Sequence, residues 1–372
     1  MTRALLAVLL TTVCATPGAA EDVELVDLSA LIQNSSDTAA FGISPSGLVV
    51  GTVRIDGGPQ MVALWTEGSG RVVDSPFGSE YAQAINDDGV FVGTYVGSGN
   101  GWYSRNGVIE CVPLPDPCGS FNNLWKASSA NDVNAFSTFT GGISPPADHP
   151  INDPIEAYLG RLAADGTVAI ERLGDYLGAD TFGTGLNDAG QVVGISGSGP
   201  NTTALLFRDD HVLAMQGLGG GYDWVEAINN AGAAVGISAH PNPGPWPYDA
   251  EAVRWDTSVE PITPEALGRL PGHRLSRALD VNDSAVAVGF SVDAAFVDQR
   301  AVLWRNGKIV DLNDLLPPGT DWVLEVATAV NNSGAIVGYG RRDGVPGRRA
   351  FLLIPEVLFV GDFESGNLAG WS

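Results

Sequence analysis

Short apolar runs rich in Val, Ile and Ala alternate with Asn, Asp and Gly along almost the whole chain. One phrase recurs: "AINDDGVFVG" (84–93), "GLNDAGQVVG" (185–194), "AINNAGAAVG" (227–236), "DVNDSAVAVG" (280–289) and "AVNNSGAIVG" (329–338). "GISPSGLVVG" (42–51) is a looser copy. Each copy predicts a strand, a tight turn and a second strand. Asn and Asp accept hydrogen bonds from nearby amides, and Gly enters the left-handed region without steric cost. The spacing fits a type I turn followed by a left-handed Gly. The β-branched segment that follows suits a buried strand. On this reading the aspartates form turns and are not ligands or bases.

Two further elements complete each repeat. A third strand is predicted at "ALW" (63–65), "GWY" (101–103), "ALLF" (204–207), "AVRW" (252–255), "AVLW" (301–304) and "AFLL" (350–353). A fourth is a Leu- or Val-rich segment such as "HVLAMQGL" (211–218) or "GKIVDLNDLL" (307–316). Trp65, Trp255 and Trp304 recur at one place in the third strand, which assigns them to packing between sheets. The glycines ending the second strands are Gly51, Gly93, Gly194, Gly236, Gly289 and Gly338, and the gap from Gly93 to Gly194 is two repeats long. "SANDVNAFSTF" (129–139) fits there as a worn copy, with Asn131 and Asp132 holding the turn and Asn134 in place of Gly. That makes seven repeats.

The fold class expected is therefore all-β: a seven-bladed β-propeller of four-stranded blades over residues 21–356. "AFLLIPE" gives the last blade a third strand but no fourth. At the other end, Asp27-Leu28-x-x-Leu31 matches the fourth-strand pattern Asp311-Leu312-x-x-Leu315. The N-terminal strand is expected to complete the last blade and close the ring, leaving no open edge there.

These repeats resemble the HAF family of bacterial extracellular repeats, most clearly in "LNDAGQVVGIS" (186–196), "AINNAGAAVGIS" (227–238) and "DLNDLLPPGTDWVLEVATAVNNSGAIVGYG" (311–340). The resemblance covers nearly the whole chain after the leader and implies secretion and a propeller-like fold, with no agreed activity. The His-Ala-Phe that names the family stands here as Arg349-Ala350-Phe351. The tail "VLFVGDFESGNLAGWS" (357–372) resembles a short C-terminal tag of secreted proteins from Gram-negative bacteria, with Gly361-Asp362 inverted relative to the usual order.

Residues 1–20 have a secretory layout: Arg3, an apolar run from Ala4 to Val13, and "ATPGAA" ahead of a cleavage point after Ala20. The apolar run is too short to span a bilayer, and "TTVC" lacks the small residue expected before a lipidated Cys14. The formal net charge of −24 repels phosphate backbones and anionic membranes, so neither nucleic acid nor membrane insertion is expected. A monomer is expected. Cys111 and Cys118 in "ECVPLPDPCGS" are expected to form a disulfide in an oxidising compartment, a short staple contributing about 2–3 kcal/mol.

The histidines, at 149, 211, 240 and 273, lack metal-ligand spacing, and HExxH, GxSxG and GxxxxGK are absent. No catalytic residue, cofactor or metal site is assigned from these motifs. The first expectation is a binding or structural module. The alternative is a calcium-dependent, lactonase-like propeller hydrolase, with the ion held by aspartates on the central channel. Binding is expected on the two long loops joining second to third strands, 141–157 and 238–252, because proline-stiffened loops on a rigid scaffold commonly carry it. Trp246 and Tyr248 on one loop and His149 and Asp153 on the other are the candidate contacts for a carbohydrate or protein partner.

Overall fold

The computed structural model describes residues 23–73, 80–95, 100–112, 129–144, 153–209, 211–241 and 249–355. Every regular element among them is a β-strand, apart from three short 3-10 turns. Cys118, His149, Trp246, Tyr248 and residues 1–20 and 357–372 lie outside the described residues.

The strands form five four-stranded sheets and one eight-stranded sheet. The eight-stranded sheet is two antiparallel runs, 223–268 and 275–311, joined by a single parallel pairing of Ala250 with Leu275. Within each antiparallel run, strands consecutive in the chain are hydrogen-bonded neighbours. The first strands are Ser35–Ile43, Glu80–Ile85, Asp132–Val133, Thr181–Leu186, Asp223–Ile228, Leu275–Val281 and Trp322–Val330. One sheet is assembled from both ends of the described chain: Val23–Asp27 pairs antiparallel with Val345–Pro355, from Val23 opposite Pro355 to Asp27 opposite Phe351. Asp27 then caps a 3-10 turn at Leu28–Leu31, as Asp311 caps the matching turn at Leu312–Leu315.

The turn inside the repeated phrase has the predicted geometry. In the second sheet Gly89 N–H donates to Asn86 C=O (3.1 Å), Asn86 N–H donates to Val90 C=O (3.0 Å), and Gly89 takes φ +71°. The worn copy departs from the expected register. Asn134, not Asn131, occupies the place of Asn86, and Ser137 takes the left-handed position at φ 55°. Asp132 therefore belongs to the strand before the turn. The Asn-Asp pair at 131–132 imitates the start of the phrase three residues too early.

The glycine that closes each second strand has a steric cause. A Cβ at Gly289 would run into the carbonyl oxygen of Arg277, and one at Gly236 into that of Trp224. The first strand slips register beside each, between Ala278 and Asp280 and between Val225 and Ala227. Such a bulge brings backbone into the space a side chain would need. Gly289→Ala is expected to cost about 3 kcal/mol, the upper range for overpacking a core, measured by urea unfolding.

Large and small side chains face one another across the second and third strands. Val49 pairs with Trp65, Ala234 with Trp255 and Ala287 with Trp304; Phe91 pairs with Ser104 and Phe139 with Gly160. Where the second strand carries a ring in these pairs, the third gives way, so two bulky rings never meet there. Trp65, Trp255 and Trp304 are buried, and each indole N–H donates to a backbone carbonyl, of Leu28, Gln216 and Gly268 respectively. They are packing residues.

Candidate functional site

The first strands of all these sheets end on one cavity of about 310 Å³, lined by Gly42, Ala84, Asp132, Gly185's neighbours Thr184 and Leu186, Ala227, Asp280 and Ala329 among others. Two ladders of side chains hold its rim.

The inner ladder is made by the first Asn of each turn. Asn229 Oδ1 accepts the N–H groups of Ala231 (3.0 Å) and Ala233 (2.8 Å) in its own turn. Its Nδ2 donates to the carbonyl of Asn282 in the next repeat (2.8 Å). The same cross-link runs from Asn86 to Asn134, Asn134 to Asn187, Asn187 to Asn229 and Asn282 to Asn331, at 2.8–3.2 Å including the Asn229 link. Asn331 donates to the carbonyl of Ser44 (3.3 Å), in the first sheet. All these asparagines are buried. Each is a bolt between neighbours as well as a turn former.

The outer ladder uses the residue after each bolt. Asp188 N–H donates to Asn230 Oδ1, Asn230 N–H to Asp283 Oδ1 and Asp283 N–H to Asn332 Oδ1, at 2.8–2.9 Å. Asn230 Nδ2 also reaches Asp188 Oδ2 (3.0 Å) and Asp283 Oδ2 (3.3 Å), and Asn332 Nδ2 reaches Asp283 Oδ2 (2.8 Å). The alternation of "ND" and "NN" along the sequence thus places an amide between successive carboxylates, where like charges would repel.

Two aspartates stand below the ladders. Asp132 Oδ2 accepts Leu186 N–H from the neighbouring sheet (2.9 Å), and Asp280 Oδ2 accepts Val330 N–H from its neighbour (2.8 Å). Each also accepts the N–H of the residue after it, Val133 or Val281 (2.8 Å). Protein surrounds both carboxyls, yet each remains half-buried by surface because it opens onto the cavity. Burial pushes Asp132 up to about 7; its amide partners oppose the rise, and the charges of Asp280 and Asp188 add to it. Burial likewise pushes Asp280 up to about 6, against its two amide donors. Asp87 behaves oppositely: burial raises it, but the hydroxyl and amide donors of Ser44 and Ser46 outweigh that and hold it below the ordinary carboxylate value.

Asp153 lies just before strand Glu156–Leu162, half-buried, and is not among the residues lining the cavity. Of the other loop candidates, Trp246, Tyr248 and His149 are outside the described residues. The cavity carboxylates were missed by sequence reasoning. Their signal was Asp at a position where sister repeats carry Gly or Ala.

A serine, a histidine and an aspartate also fall in line elsewhere, Ser291 Oγ 3.0 Å from His273 Nδ1 and His273 Nε2 3.7 Å from Asp298 Oδ2. Ser291 is fully buried, accepts Leu270 N–H (3.2 Å) and donates to Leu275 C=O (3.3 Å). Ser238 holds Leu218 N–H in the preceding repeat the same way (2.8 Å). This serine ties a linker down and is not presented to a substrate. Among the described residues, no three His, Cys, Asp or Glu side chains are grouped to hold a metal ion.

No protein-family model matches the chain, and no curated protein matches it. Among solved structures it is similar to a puromycin hydrolase, with 15% identity and a TM-score of 0.51 over 85% of this chain and 52% of that one. A puromycin-hydrolyzing peptidase of Mycobacterium tuberculosis matches at 13% identity and a TM-score of 0.50, over 88% of this chain and 52% of that one. The chain spans about half the length of each. A gluconolactonase of Xanthomonas campestris matches at 14% identity and a TM-score of 0.40, over 92% of this chain and 98% of that one. At such identities the likeness speaks to architecture alone. The chain is an all-β protein of four-stranded sheets with a propeller-like fold.

Proposed function

We propose that the chain is a secreted β-propeller of seven four-stranded blades, closed by its N-terminal strand, that works as a binding or interaction module at or outside the cell surface. The observation that carries this reading is the double ladder. It commits the turn side chains to joining neighbouring repeats around an open polar cavity, which supports a rigid scaffold. A scaffold of that kind positions loops, and loops on rigid scaffolds are where recognition concentrates. Support for closure comes from the ladder's last link, Asn331 to Ser44, and from the pairing of Val23–Asp27 with Val345–Pro355. Secretion rests on the layout of residues 1–20 and on the resemblance of the repeats and the tail to bacterial extracellular proteins. Carbohydrate or protein is the partner class, because the acidic charge of −24 disfavours nucleic acid.

Replacing Trp246 and Tyr248 by Ala tests this. Binding to a glycan array or to envelope proteins in a pull-down should fall at least tenfold with an unchanged melting temperature. Unchanged binding with a lowered melting temperature would assign both rings to packing.

The Cys111–Cys118 bridge belongs to the same proposal of an oxidising compartment. Intact-mass analysis with alkylation should find both thiols only after reduction; free thiols in the native protein would remove the bridge.

A further inference from the structure

At the place two residues before each bolt, five repeats carry Gly or Ala: Gly42, Ala84, Gly185, Ala227 and Ala329. Only Asp132 and Asp280 break the pattern. Each reaches across the junction to the next sheet and accepts a main-chain N–H there, from Leu186 and Val330. Both open onto the cavity, close enough for the charge of Asp280 to bear on Asp132. We propose that Asp132 and Asp280 form a proton-operated pair: protonated, they add no charge to the cavity and leave the ring at its most stable; ionised, they add two opposed negative charges that strain the ring.

The surroundings of the pair favour this behaviour. Strands Ser35–Ile43 and Glu80–Ile85 bring Gly42 and Ala84 to the cavity, which carry no charge. The turn after Glu80–Ile85 adds Asp87 and Asp88, and those after Thr181–Leu186 and Leu275–Val281 add Asp188 and Asp283. Strand Asp223–Ile228 brings Glu226, which is paired with Arg277 of the strand carrying Asp280. Strand Trp322–Val330 brings Thr328, Ala329 and Val330, none ionisable. No Lys, Arg or His is among the described residues lining the cavity. Nothing cationic there compensates the pair.

The sign follows from linkage. Burial raises both carboxyls above the ordinary value of 3.8, to about 7 and about 6. Between the ordinary and the raised values the folded chain holds protons that the unfolded chain has released. Stability is therefore fully present at the acid end of that window and falls as pH rises, levelling once both groups ionise. Asp37 and Asp249 have lowered values and act only below the window, in the opposite sense. Asp223, also raised by burial, is not a cavity residue and gives a background that substitutions at the pair leave in place. On the binding reading proposed above, the same protons set how much negative charge a partner meets at the cavity.

The test needs no ligand, so it stands or falls apart from that reading. Thermal melts of the chain without its leader, from pH 4.5 to 8.5, should show the melting temperature falling by about 5 °C between pH 5 and 7.5, then levelling. Asp132→Ala/Asp280→Ala installs the residue that sister repeats already hold, and it should lose most of that slope and melt higher at pH 8. Carboxyl carbon NMR of the wild-type chain should show two groups titrating above pH 5, a readout that survives if the variant fails to fold. A wild-type melting temperature flat or rising across the window would overturn the proposal. So would a double variant that keeps the slope, or carboxyls that all titrate near pH 4.

Discussion

Asn229→Ala is expected to destabilise the protein by about 4 kcal/mol, more than a turn former alone would. One side chain serves three backbone groups: Oδ1 accepts from Ala231 and Ala233, and Nδ2 donates to Asn282 C=O across the junction. All sit where Asn229 is buried. Alanine strands two donors and an acceptor, each left unpaired at about 1–3 kcal/mol. Asn229→Asp separates the two duties. It keeps Oδ1 for the turn but removes the cross-junction donor and sets a carboxylate against the carbonyl of Asn282. It should be at least as damaging as alanine at pH 7 and recover as the carboxyl protonates. Urea unfolding of both variants at pH 5 and pH 7.5 measures this. If Asn229→Ala costs only the ~1 kcal/mol typical of a lost capping contact, the cross-junction bond contributes nothing.

The turns were legible from sequence because their chemistry is local. Asn at the first position, Gly at the fourth and a β-branched run afterwards report a hairpin without any partner in view. The worn copy was misplaced for the same reason. Asn131-Asp132 satisfies the local rule, while the true turn at Asn134 ends on Ser137, a residue that rarely takes positive φ. What could not be read locally was the second half of each side chain's work. The amide of Asn229 meets a carbonyl 53 residues away, and only the packing of one repeat against the next supplies it. Asp132 and Asp280 were hidden because turn chemistry already accounted for every nearby aspartate. Their departure from Gly and Ala was visible in the aligned repeats, but its meaning needs the cavity. The recurring tryptophans pack between strands, and the cross-strand pairs explain why Ser104 and Gly160 stand at the matching place in the second and third sheets: Phe91 and Phe139 supply the volume from the opposite strand.

Deleting residues 21–33 should have the largest effect on the fold. Strand Val23–Asp27 covers the edge of Val345–Pro355, and without it that edge would stand open to pairing with another chain. The loss runs deeper than one strand. Leu28 and Ile32 are buried beside Trp65, whose indole N–H donates to Leu28 C=O (2.9 Å). Ser29 Oγ accepts Ala350 N–H (3.0 Å) and contacts Thr38 of the first sheet, so the same segment ties three parts of the chain together. Burying Leu28 alone contributes on the order of 3 kcal/mol, judged by what Leu→Ala costs in cores. The truncated chain is therefore expected to lose its cooperative melt or to aggregate below the parent's melting temperature. A synthetic peptide of residues 21–33 added in trans should restore the transition, since strand addition at an open edge supplies the missing hydrogen bonds and side chains together. Leu28→Ala should lie between parent and truncation. A truncated protein that melts with the parent, with no response to the peptide, would mean that the first strand lies on the fold without closing it.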